Sequence, residues 1–390
     1  VTRSPLSGAA IGVFCVGASE YLIAGLAPSI ATGLRTTVAQ ASGLITVYAA
    51  VVAVAGPLLT LAVSRVERRS LLIGLLAAFG AANLLAAVST GMTEMMVSRI
   101  VAAATHCPIV AMALVIASRH DDATRQGRAM ARISVALNLA TAVGVPLALA
   151  INTLTSWRMA FVLLALAAGV AVAHVVRCPR DEPATTARAE IRALLRPRVL
   201  VAIATTFLAT IGGYATYTFI APILTDETGF AHDHLWLLLL LFGLGSLAGS
   251  VLGGRLADYH LDRGLRIGLA VLAATTLLFG LSLHSKVFTA ILLFVLGAAF
   301  FLIVPALNAR IVVGTADLAP TLATSVNVAA YNLSIMVASG VARLAVEGGT
   351  GLQGLVLLSA LSPIAAVALT AVGTNVVAAR GGVARSFSPE

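Results

Sequence analysis

Charge is scarce in this chain of 390 residues. Asp, Glu, Lys and Arg together make up 11% of it, while 59% is hydrophobic. Soluble domains carry about 25% charged residues, so a water-soluble globule is excluded. Acids are the rarer sign, sixteen against twenty-five basic residues, and aromatics reach only 5%. Three cysteines do not make a disulfide framework: Cys15 and Cys107 lie inside apolar runs and Cys178 lies in a basic loop. No metal-ligand spacing, nucleophile–base arrangement or cofactor loop is present, so neither an enzyme nor a cofactor is expected, protons as coupling ion aside. A net charge of +9 suggests nucleic acid in a soluble protein. Here the basic residues occupy short loops between apolar runs, which points to membrane orientation and to the lipid bilayer, not nucleic acid, as the partner.

What the chain has instead is apolar runs long enough to cross a bilayer, which takes about 20 residues each. They fit twelve helices near 6–30, 43–64, 70–90, 94–117, 130–154, 159–176, 199–224, 235–257, 266–284, 287–308, 322–346 and 353–376, here called spans 1 to 12. The first run follows Arg3 as a signal peptide would. It is too long for one, holds an acid, and is read as a retained span. Twelve spans put both termini on one side. Twenty Lys and Arg residues fall on that side and three (Arg35, Arg158 and Lys286) on the other, so both termini are expected in the cytoplasm of a plasma-membrane protein. The longest polar interruption, Arg177 to Arg198, holds three prolines and six arginines and divides the spans six and six. The expected organisation is a six-helix half (1–176), a cytoplasmic linker (177–198), a second six-helix half (199–376) and a cytoplasmic tail (377–390). Ala187 to Leu195 has an amphipathic pattern, but a solvated tether is the preferred reading of the linker. The chain is expected to act as a monomer.

A shift of 194 residues aligns the halves without a gap. Pro28 meets Pro222, Ile73-Gly74-Leu75 meets Ile267-Gly268-Leu269, and Ala136, Asn138 and Leu139 meet Ala330, Asn332 and Leu333. Repeated six-helix halves are a transporter architecture, with the substrate site between them near the membrane midplane. Glu20 breaks the repeat. It sits near the middle of span 1, and its counterpart is Tyr214. An intramembrane acid costs at least a few kcal/mol and is a functional candidate by default.

Other interior polar residues qualify next. Arg99 lies within span 4 and needs a partner, and His106 lies seven residues on, on nearly the same helix face. Glu20, Arg99 and His106 are the proton-coupling candidates if spans 1 and 4 both line a cavity. Asn138 and Asn332 occupy equivalent buried positions. Tyr214 and Tyr217 share a face of span 7 with Thr218, and Tyr21 adds a further phenol; Tyr21, Asn138, Tyr214, Tyr217 and Asn332 are the substrate-cavity candidates. Gly245, Gly249 and Gly253, at spacing four, read as a helix-contact face without chemistry. Arg343 and Glu347 read as a structural ion pair.

These residues carry a family resemblance across essentially the whole chain. Ser19-Glu20-Tyr21 with Gly25-Leu26-Ala27-Pro28, Arg99, Gly144-Val145-Pro146-Leu147, Trp157-Arg158 with Phe161, Glu190 to Arg198, and Gly254-Arg255-Leu256-Ala257-Asp258 resemble the motifs of the major facilitator superfamily. Within it, the twelve-span drug:proton antiporters of the chloramphenicol-resistance type are the match. Gly144 and Pro146 would belong to the antiporter motif of span 5. Ser64, Arg65 and Arg69 after span 2, and Gly254 and Asp258 after span 8, stand where the superfamily has its gating loops. The first of these loops departs from the pattern: both glycines and the acid of G-x-x-x-D-R-x-G-R-R are missing, so a tight turn with an acid capping a neighbouring helix is put in doubt there.

The resemblance implies an all-α integral membrane fold and proton-coupled efflux of small amphipathic compounds, chloramphenicol-like drugs first. The alternatives are export of sugars, nucleosides or amino acids, or a membrane sensor or interaction protein on the same scaffold.

Overall fold

The computed structural model describes residues 5–63, 66–118, 123–177, 187–315 and 320–370, with no strand among them. Spans 1 to 6 are the helices Pro5–Gly33, Val38–Ala62, Arg68–Val88, Met92–Ser118, Ala123–Leu154 and Trp157–Val175. Span 7 is Pro197–Thr218. Spans 8 and 9 form one helix, Leu235–Ser282, interrupted only where His260 leaves the helical region. Spans 10, 11 and 12 are Lys286–Thr315, Thr321–Glu347 and Gly351–Thr370. Span 10 runs about two turns beyond its expected end and is broken at Ile303, just before Pro305, whose ring removes a helical hydrogen bond.

Local chemistry sets several ends. Thr37 and Gln40 form a reciprocal capping box at the start of span 2. The Glu67 carboxylate accepts from the backbone N–H groups of Arg69 and Ser70 at the start of span 3. Prolines inside spans 1, 2, 4 and 5 each remove one backbone bond, which membrane helices tolerate where neighbours pack against them.

The largest buried cluster is drawn from spans 1 to 6, and a second from spans 7 to 12. Large aliphatics such as Leu58, Leu154, Leu166 and Leu281 point outward, as a lipid-facing surface requires. In the second half the expected glycine face is real. A Cβ on Gly245, Gly249 or Gly253 would overlap the backbone of Phe294, Ala298 or Leu302 on span 10, so spans 8 and 10 pack backbone to backbone. Gly254, in contrast, is helical with open space around it and makes no turn. The chain bends after Asp258, at His260.

The halves meet through span 11, which packs on spans 2 and 4, and through the helix of spans 8 and 9, which packs on span 5. Ala329 of span 11 is buried within the first-half cluster. One turn nearer the linker, the hydroxyls of Thr60 and Ser325 lie 2.8 Å apart across the two halves.

The tether reading of the linker is overturned over Ala187–Leu194, which is a helix. Its Glu190 is 1% exposed, and Glu190 Oε2 accepts from the Leu322 N–H at 2.8 Å in the first turn of span 11. An anion there satisfies an otherwise unpaired donor and suits the helix dipole. The anticipated Arg343–Glu347 pair is present at 2.7 Å.

Candidate transport cavity

Span 1 approaches span 5 closely because both are lined with small residues. A Cβ on Gly17 would press on Leu137 and Ala140, and Gly144 of span 5 faces Ala18. Ser19, Glu20 and Tyr21 follow this contact along span 1, Ser19 turned to span 4 and the other two to the cavity. Pro146 lies two residues beyond Gly144, partly exposed.

Arg99 is fully buried and reaches across to span 1. Its guanidinium donates to the Ser19 hydroxyl at 2.9 Å and to the Ser19 carbonyl at 2.6 Å. It also lies 4.6 Å from the centroid of the Tyr48 ring. The Tyr48 hydroxyl is 3.1 Å from His106 Nδ1, and His106 Nε2 is 4.0 Å from Glu20 Oε2. The three expected coupling residues are thus brought together, with a difference in detail. Arg99 holds the backbone next to Glu20 and does not line the cavity, while Glu20 and His106 do. Tyr48 on span 2 is the member that the sequence did not disclose. It joins Arg99 to His106 from 58 residues away in sequence.

The cavity lies between the halves and holds about 70 Å³ of internal space. Its lining follows the internal repeat. Glu20 and Tyr214, His106 and Phe300, Val110 and Val304, Leu114 and Asn308, and Leu137 and Tyr331 all face it, and each pair is separated by 194 residues. Tyr21 and Asn332 line it as well, as expected. Tyr217 does not. It turns to the Phe242 ring, 5.0 Å away between centroids, and borders a smaller neighbouring pocket. The Asn138 side chain lies outside the described residues.

The arrangement places one carboxyl and one imidazole against an apolar, aromatic chamber between two repeated halves. A titratable group at such a junction can exchange a proton as the chamber changes the side it faces. A family profile described as Major Facilitator Superfamily matches residues 9–342. The chain belongs to the major facilitator superfamily. Among curated relatives it is 34% identical to the Inner membrane transport protein YdhP of Escherichia coli (strain K12), over 89% of this chain and 90% of that one. It is 33% identical to a Chloramphenicol resistance protein of Streptomyces lividans, over 94% of each. In fold it is similar to the human organic anion transporter MFSD10 (TETRAN), with a TM-score of 0.74 at 15% identity, covering 95% of this chain and 99% of that one.

As a superfamily transporter, the protein places its signature residues in two classes. Trp157 and Arg158 are structural. Arg158 stacks 4.2 Å from the Trp157 ring and donates to the Ser89 carbonyl at 2.9 Å, and Trp157 fills the space above Gly33. The gating-loop positions are mixed. Ser64 and Arg65 lie outside the described residues. Arg69 donates to the Val176 carbonyl within the first half. Asp258 is exposed, and the acid one turn on, Asp262, is the one that pairs, with Arg310 at 3.3 Å.

Proposed function

We propose that this multi-pass transporter is a proton-coupled exporter of small amphipathic compounds, with chloramphenicol-like drugs favoured. The observation that carries the reading is Glu20: among the described residues it is the one acid in the lining of the cavity between the halves. Its proton affinity depends on hydration and on nearby charge, both of which change when the halves rock. Tyr48, Arg99 and Ser19 hold its surroundings in place. The chloramphenicol resistance relative supports the substrate class, and the aromatic lining suits an uncharged ring-bearing molecule. The test is direct. Purified protein in weakly buffered solution is mixed with chloramphenicol while pH is followed. Binding should release protons, and binding without release removes the coupling.

We also place both termini and the linker in the cytoplasm, on the twenty-to-three bias of basic residues. An alkaline-phosphatase fusion after Ala184 is expected to be inactive. A fully active fusion reverses the orientation.

A further inference from the structure

The repeat that shapes the cavity is broken chemically in two opposite directions. On the first half, Glu20 and His106 stand where the second half has Tyr214 and Phe300. On the second half, Asn308 and Tyr331 stand where the first half has Leu114 and Leu137. Titratable groups are confined to one wall and neutral hydrogen-bonding groups, Tyr21 apart, to the other.

The neutral wall is also underused by the protein itself. The Tyr331 hydroxyl is buried without a hydrogen-bond partner, and so is Asn332 Oδ1, whose Nδ2 donates to the Val328 carbonyl at 3.2 Å. Asn308 Oδ1 accepts from Asn327 Nδ2 at 3.0 Å, which fixes the orientation of the Asn308 amide. Buried polar atoms are nearly always paired, and leaving one unpaired costs roughly 1–3 kcal/mol. Two unpaired polar atoms on neighbouring residues of the cavity lining are open to completion by a ligand.

We infer that Tyr331, Asn332 and Asn308 are the specificity-determining residues for substrate, and that the substrate is an uncharged molecule bearing a hydroxyl or amide. The inference rests on the transport reading above and deepens it. The proton would be handled on the first-half wall while the substrate's polar group is read on the other. A neutral ligand needs no counter-charge, and the wall offers none. It offers a phenol, able to donate and accept, and an amide oxygen, which accepts from O–H or N–H. A site built to bond a hydroxyl discriminates strongly against analogues without one, because its own polar groups are then left unpaired.

Tyr331→Phe is the informative variant because it breaks no bond within the protein. Its thermal stability should equal or exceed wild type. Binding to the purified full chain is compared for two probes, chloramphenicol, which carries hydroxyls and an amide, and tetraphenylphosphonium, which has no donor or acceptor. Tyr331→Phe should weaken chloramphenicol binding about three- to tenfold, the size of one neutral hydrogen bond, and leave the cation unchanged. Asn308→Leu, which copies the first-half residue at this position, should shift preference the same way. Proton release per chloramphenicol bound should stay at the wild-type value in both. Equal effects on the two probes, no effect on either, or a wild type that binds only the cation would each overturn the assignment. A defect in coupling shows separately, as normal discrimination between probes with no proton release.

Discussion

Glu20→Gln is expected to abolish uphill efflux while leaving membrane insertion and drug binding in place. The carboxyl lines the cavity at 4.0 Å from His106, and Gln keeps its size and hydrogen-bonding capacity without changing charge. In proteoliposomes with an imposed pH gradient, exchange of one proton per substrate sustains about tenfold accumulation per pH unit, or ~1.4 kcal/mol. Wild type should approach that limit. The Gln variant should equilibrate substrate and stop, with exchange of labelled for unlabelled substrate persisting. Glu20→Asp should retain part of the activity with a displaced pH profile, because the shorter acid still titrates. A Gln variant that concentrates substrate at matched reconstitution shows that another group couples. His106, whose Nε2 lies 4.0 Å from the Glu20 carboxyl, is then the next to test.

The second large effect is mechanical. Gly249→Ala places a Cβ inside the carbonyl oxygen of Ala298, and backbone cannot step aside as a side chain does. Spans 8 and 10 must separate, and their backbone-to-backbone packing is lost. Overpacking of this kind costs about 1–3 kcal/mol or more, which for a chain of this size lowers the thermal midpoint by roughly 1–4 °C. Gly254→Ala, five residues on, is the control. Nothing lies within 4 Å of its Cβ position, and alanine favours the helix by up to ~1 kcal/mol. The midpoint of detergent-purified protein should fall for the first and hold for the second. Equal midpoints mean that the glycine face does not bear the contact.

Much of this architecture was legible before any coordinates. Apolar length marks a span wherever it occurs, and a 194-residue offset needs no contact information to be seen. Helix periodicity puts Arg99 and His106 on one face, and the family resemblance, which implies that spans 1 and 4 both line the cavity, adds Glu20 to them. Tyr48 was not legible, because one tyrosine in an apolar helix carries no local mark, and its partners Val16 and His106 are 32 and 58 residues away. Tyr217 was misplaced for a related reason. Positions i and i+3 share a face, but that face is wide enough for Tyr214 to enter the cavity while Tyr217 packs on Phe242. The linker helix was ambiguous in principle, since eight amphipathic residues look alike whether solvated or docked. Only the position of the Leu322 N–H shows that Glu190 has a partner.

The hydroxyl contact between the halves has a consequence for energy scale. The Thr60–Ser325 bond is of a kind worth about 1 kcal/mol. One proton moving down one pH unit delivers ~1.4 kcal/mol. If transport is proton-coupled, as proposed, a polar contact of this size can part and rejoin within a cycle, where a buried ion pair across the halves would resist opening.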